Sequence, residues 1–139
     1  MATPYDGKIL LVIWLTRLVP GDTIEETAVF IRQRMPNVAG VMLKAINGVS
    51  WQGHLSSDFG EKAVTGVQRI REWVDAFDRQ GLEVHVWGVP QANPTRTSTR
   101  SQRVLKEAEK YVQVANVPNV KSLLLDVESG EFFWQGTPV

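Results

Sequence analysis

The sequence predicts an α/β fold, a parallel βαβαβαβ sheet forming half of a (β/α)8 barrel, on three observations. Four apolar segments rich in Val, Ile and Leu alternate with three amphipathic helical patterns, and such alternation builds parallel sheets through right-handed crossovers. In three of those strands one set of alternate residues is apolar, while the other gains polarity toward the carboxyl end. The last strand, Leu123-Leu124-Leu125-Asp126-Val127-Glu128, closes on two carboxylates two residues apart, which places both on one face.

Residues 8–18 read as the first strand, closed by Pro20-Gly21. Thr23 with Glu26 three residues on fits a capping box, and Ile24, Ala28, Ile31 and Met35 recur at helical spacing until Pro36-Asn37. Residues 40–46 form the second strand, ended by Asn47-Gly48, and 49–60 a loop containing Trp51-Gln52-Gly53-His54. The second helix, 61–80, carries Val64, Val67, Ile70, Val74 and Phe77 on one stripe, with Gly81 as its cap. Residues 82–89 are the third strand and 90–97 a turn-rich loop. The third helix, 98–115, points Val104, Ala108, Tyr111 and Ala115 inward, and Asn116 to Asn119 lead into the fourth strand, 120–127.

The strand faces favour a barrel over a doubly wound sheet, whose strands are covered on both faces and apolar on both. Here Val41, Leu43 and Ala45 alternate with Met42, Lys44 and Ile46. Leu82, Val84 and Val86 alternate with Glu83, His85 and Trp87, and Leu123, Leu125 and Val127 with Leu124, Asp126 and Glu128. An outer face under helices and an inner face rising to a polar mouth is the barrel pattern. The matching tripeptides Trp51-Gln52-Gly53 and Trp134-Gln135-Gly136 add a weak internal repeat.

Residues 1–139 are read as a single domain, with 43% hydrophobic and 22% charged residues. Fifteen basic against fifteen acidic side chains leave no net charge, so nothing global steers the chain to nucleic acid or a membrane surface. The basic run of Arg96, Arg100, Arg103, Lys106 and Lys110 lacks interleaved aromatics, again against nucleic acid. No run approaches a membrane span, and residues 9–15 lack the flanks of a signal peptide, so the expected compartment is the cytoplasm by default. With no cysteine and two distant histidines, no metal is expected. The lack of a Gly-rich phosphate loop goes with an expectation of no cofactor.

Asp126 and Glu128 are the candidate catalytic pair, since glycoside hydrolysis needs one acid for the leaving oxygen and a second group at the cationic carbon. Lys44 and His85, on the same inner face, are candidate substrate-binding residues. Lys44 is expected to pair with Asp126, and His85 to hydrogen-bond it or move a proton. Trp14, Trp51, Trp87 and Trp134 fall at strand ends or in the loops after them, where indole faces stack on sugar rings. Trp73 lies within a helix and reads as packing, and His54 as exposed.

Several of these segments resemble the glycoside hydrolase family 25 (lysozyme-like muramidase) barrels. Gly40-Val-Met-Leu-Lys-Ala-Ile-Asn-Gly48 is similar to their second-strand segment, Gly81-Leu-Glu-Val-His-Val-Trp87 to their third strand, and Asn93-Pro94 with Glu107-Ala108 and Tyr111 to the approach to their fourth. Leu125-Asp126-Val127-Glu128 resembles their Asp-x-Glu motif. The resemblance implies a general acid at Glu128, and at Asp126 a stabiliser of the transition state or of a participating acetamido group. It departs at the first strand, where the family has an Asp and residues 9–18 have none, and at Ile46-Asn47-Gly48, where the family has Thr-Glu-Gly.

The expected function is therefore that of a glycoside-hydrolase-like barrel half, weak or inactive alone, with carbohydrate as ligand. A non-catalytic self-associating scaffold and a doubly wound ligand-binding domain are the alternatives. Four strands leave two open edges and an uncovered face bearing Leu10, Val12, Met42, Ile46, Trp87 and Leu124. Homodimerisation, with Phe132, Phe133 and Trp134 over the joint, is the expected remedy.

Overall fold

The computed structural model describes residues 2–91 and 100–128. Its elements are β1 (Ile9–Ile13), α1 (Ile24–Arg34), β2 (Val38–Asn47), β3 (Ser50–Trp51), α2 (Val67–Arg79), β4 (Glu83–Val89), α3 (Arg100–Ala115) and β5 (Val120–Leu125). The sheet order is β1-β2-β4-β5, all parallel. This is a mixed α/β fold with a parallel sheet and three helices. Of the predicted loop 90–97, residues 92–97 with Asn93, Pro94 and Arg96 fall outside the described residues, as do Phe132, Phe133 and Trp134.

α1 begins where the sequence places it. Thr23 Oγ1 accepts from the Glu26 amide at 3.1 Å while Glu26 Oε2 accepts from the Thr23 amide at 3.2 Å, so two of the helix's unpaired amino-terminal donors are satisfied reciprocally. Ile24, Ala28 and Ile31 enter one core with Val41, Leu43, Ala45, Val84 and Val86 from the sheet and Ile70, Trp73, Val74, Phe77, Tyr111 and Val114 from the other helices. All three helices thus pack on the same face of the sheet. The reverse face has Val12 and Trp14 about 60% exposed and Leu124 39% exposed.

Several boundaries and faces differ from the sequence reading, each for a local reason. β1 ends at Ile13, not residue 18, because Thr16 donates from both its amide and its hydroxyl to Asp58 Oδ1, each at 2.8 Å, and Thr16–Leu18 coils into a 3-10 turn. α2 begins at Val67, not residue 61. Gly60 turns with φ +99°, Ala63 and Val64 are buried as loop residues, and Trp73 Nε1 donates to the Lys62 carbonyl at 3.0 Å. Asn47-Gly48 makes a hairpin as well as ending a strand, for Gly48 at φ +57° opens the two-residue turn that folds β3 back on β2.

Ile46 was expected on the inner face but is fully buried in the core. The register of β2 against β4 slips between Lys44 and Ile46, and the extra residue of such a bulge swaps faces beyond it. α3 is rotated from its expected phase: Val104, Ala108 and Ala115 are exposed, and Glu107, Tyr111 and Val114 face inward. Glu107 is drawn in because its Oε2 accepts from the Gln91 amide at 3.0 Å. Leu125 and Val127, expected under a packing layer, are 50% and 58% exposed, since β5 is an edge strand with no described element over that end.

Candidate functional site

A cleft of ≈ 540 Å³ opens at the carboxyl ends of the parallel strands, lined by Trp14, Lys44, Asn47, Trp87, Val89, Gln91, Asp126 and Glu128. Each strand delivers its residue for a stated reason. Trp14 follows the last residue of β1, Lys44 and Trp87 are inward positions of neighbouring β2 and β4 and stand directly opposite one another, and Asp126 continues the β5 ladder, its backbone N–H donating to the Gly88 carbonyl at 2.9 Å. A smaller hollow of ≈ 240 Å³ shares Trp87 and Asp126 and is lined also by Val12, Met42 and Leu124.

Lys44 does not form the expected contact ion pair with Asp126. Its ammonium sits 5.5 Å from the ring centre of Trp14 and 5.0 Å from that of Trp87, within reach of both π faces. Burial pushes its pKa below the ordinary lysine value, opposed by the negative charges of Asp126, Glu128 and Asp58. The Trp87 indole is fixed by its Nε1 donating to the Met42 carbonyl at 3.1 Å. Across the lip, Gln91 Nε2 donates to Asn47 Oδ1 at 3.2 Å.

Five of the seven site candidates among the described residues, Trp14, Lys44, Trp87, Asp126 and Glu128, line this one cleft. The other two do not. Trp51 is buried in the core, with Lys110 Nζ 4.5 Å from its ring centre. His85 lies two residues nearer the amino end of β4 than Trp87 and is fully buried. Its Nδ1 is hydrogen-bonded to Ser122 Oγ at 2.8 Å and its Nε2 to Glu83 Oε2 at 3.2 Å, rather than to Asp126. Tyr5 lies over it at 5.4 Å between ring centres, with its hydroxyl on Ser122 Oγ at 2.8 Å. Lys8 completes the strap by pairing with Glu83 at 2.8 Å. His85 thus anchors the amino-terminal arm across the far end of the inner face.

Asn47 and Gln91 were missed, although the rule that sites gather at carboxyl strand ends pointed to both. Asp58 was missed for a better reason, since a lone loop carboxylate gives no spacing signal. It is fully buried, its Oδ1 holds the chain just after Trp14, and among the described residues its Oδ2 has no hydrogen-bond partner. Among the described residues no group of three or more His, Cys, Asp or Glu is placed to hold a metal, and no helix is long and apolar enough to cross a membrane.

Fold and site together define a class: a parallel α/β protein with an aromatic-walled, carboxylate-bearing cleft at the carboxyl edge of its sheet. No family model, curated protein or solved structure matches the chain.

Proposed function

We propose that the sheet is half of a (β/α)8 barrel and that its cleft binds a carbohydrate chain for glycosidic bond hydrolysis. The observation that carries this reading is the convergence of two tryptophans and two carboxylates from β1, β4 and β5 on one cleft. Helices on a single face and an inner face that rises to this cleft support the barrel. The Asp-x-Glu resemblance supports the roles.

Glu128 protonates the leaving glycosidic oxygen, and Asp126, two residues nearer the strand, stabilises the positive charge that develops at the anomeric carbon or on a participating acetamido group. Trp14 and Trp87 hold sugar rings by their faces. Lys44, between the two indoles, offsets part of the negative charge of the carboxylate pair and is available to donate to a sugar hydroxyl.

The test is product analysis after incubation with peptidoglycan fragments, chitin-type oligomers and neutral glucans, using the parent chain and Asp126→Asn. Shortened oligomers from the parent and slower turnover in the variant are expected. Binding without cleavage by either protein would favour the non-catalytic scaffold. Neither binding nor cleavage would remove the carbohydrate reading.

A further inference from the structure

Resting on the half-barrel reading above, we propose that a second copy of this chain is the partner that covers the part of the inner face left open by the amino-terminal arm. Two copies related by a two-fold axis along the strands pair β1 of each with β5 of the other. The path β1-β2-β4-β5 supplies four parallel strands. Two such paths make eight, the number at which a closed sheet has an interior that side chains just fill.

Both outer strands are unpaired on their far sides among the described residues, and they are of similar length, five residues in β1 and six in β5. Unpaired edges of this kind recruit another strand. Exposed apolar side chains lie on both edges that the joint brings together: Ile9 and Val12 on β1, Leu124 and Leu125 on β5. On the helix side of β1, an apolar groove of ≈ 290 Å³ runs along that same edge between Leu11, Leu18, Phe30 and Met35.

Charge along the two edges is complementary at the carboxyl end. At the carboxyl end, β1 leads to exposed Arg17, whereas β5 leads to Asp126 and exposed Glu128. A parallel joint brings Arg17 toward Glu128, whereas an antiparallel one sets Arg17 beside exposed Lys121. Opposite charges across an interface fix its register.

The closed dimer also completes the cleft. Because Trp14 follows β1 and Glu128 follows β5, the joint sets the Trp14 of one copy beside the Glu128 of the other. Each mouth wall therefore combines an acid from one chain with an indole from its neighbour.

Light scattering of the full chain at micromolar concentration tests this, beside the Val12→Lys variant. Val12 is 59% exposed in the single chain, so the variant folds, which circular dichroism checks. The expected result is a species of twice 15.6 kDa that Val12→Lys returns to 15.6 kDa. Hydrogen exchange on the unmodified chain supplies a second reading, with protection of the β1 amides that make no bond to β2. A parent of 15.6 kDa, a dimer indifferent to Val12→Lys, open-ended larger assemblies, or β1 amides exchanging freely would each overturn the closed dimer. A dimer without hydrolysis would leave this inference standing while the glycosidase reading falls.

Discussion

The ammonium of Lys44 stands 5.0 Å from the ring centre of Trp87, directly across the β2–β4 ladder at the wall of the cleft. A second indole, Trp14, lies on it at 5.5 Å. The cation is thus held by π faces and carries a burial cost that the facing carboxylates offset only in part.

That balance predicts a pH dependence. Burial lowers the folded pKa of Lys44 below the ordinary 10.5, so between those two values the unfolded chain binds more protons than the folded one. Stability contributed by this site therefore rises with pH across that window. Lys62, also lowered by burial, adds the same sign, and Tyr111, raised by burial, opposes it at alkaline pH. Comparing the parent with Lys44→Met isolates the Lys44 part. Urea titrations from neutral to alkaline pH should show a smaller rise for the variant, and equal slopes would contradict the account.

The strap over the amino end of the sheet depends on Tyr5, whose hydroxyl is bonded to Ser122 Oγ at 2.8 Å. Tyr5→Phe keeps the ring against His85 and deletes that bond. The expected loss is about 0.5–1.5 kcal/mol, read by urea denaturation, with faster proteolysis of residues 2–8. An unchanged midpoint would mean that the ring contact with His85 and the Lys8–Glu83 pair hold the arm without that bond.

Asp58 ties the segment after Trp14 to the loop that follows β3. Asp58→Ala leaves the buried Thr16 amide and hydroxyl without their shared acceptor, and each bond to a charged group is worth about 1.5–3 kcal/mol. Destabilisation of at least that size is expected, with a changed near-ultraviolet signal from Trp14. Stability within error of the parent would show that Thr16 finds another partner.

Gly88 is pressed by two side chains, for a Cβ there would lie 2.9 Å from both Ile46 Cβ and Tyr111 Oη. The Tyr111 hydroxyl is buried and, among the described residues, unpartnered. Gly88→Ala should therefore cost about 1–3 kcal/mol through overpacking. Tyr111→Phe alone should be neutral or stabilising, and combined with Gly88→Ala it should recover part of the loss. Strict additivity in that cycle would contradict the contact.

These residues show where sequence was sufficient. Thr23 and Glu26 announced α1 because a capping box is local, and the alternation through Val41, Leu43 and Ala45 named the core face because strand geometry repeats every two residues. The cleft was legible where an indole or a charge falls near the carboxyl end of a strand, at Trp14, Lys44, Trp87, Asp126 and Glu128, and not at Asn47, which ends β2 with a neutral amide. Ile46 was not, because a bulge is set by the partner strand rather than by the strand itself. Neither was the inward turn of Glu107, set by the Gln91 amide nine residues before the helix begins, nor the anchoring of Thr16 by Asp58, 42 positions away. His85 was placed on the correct face at the wrong height, for nothing local foretold that Ser122 and Tyr5 would meet it.

The most direct measurement of the central claim is release of new reducing ends from chitin-type oligomers by the parent chain and by Glu128→Gln, at micromolar protein. An amide cannot supply the proton that the leaving oxygen requires, and loss of a general acid costs about 10²- to 10⁴-fold in rate. The account predicts measurable release by the parent and a loss of that order in the variant. Equal release by the two proteins, or none by the parent across the oligomer panel, would contradict it.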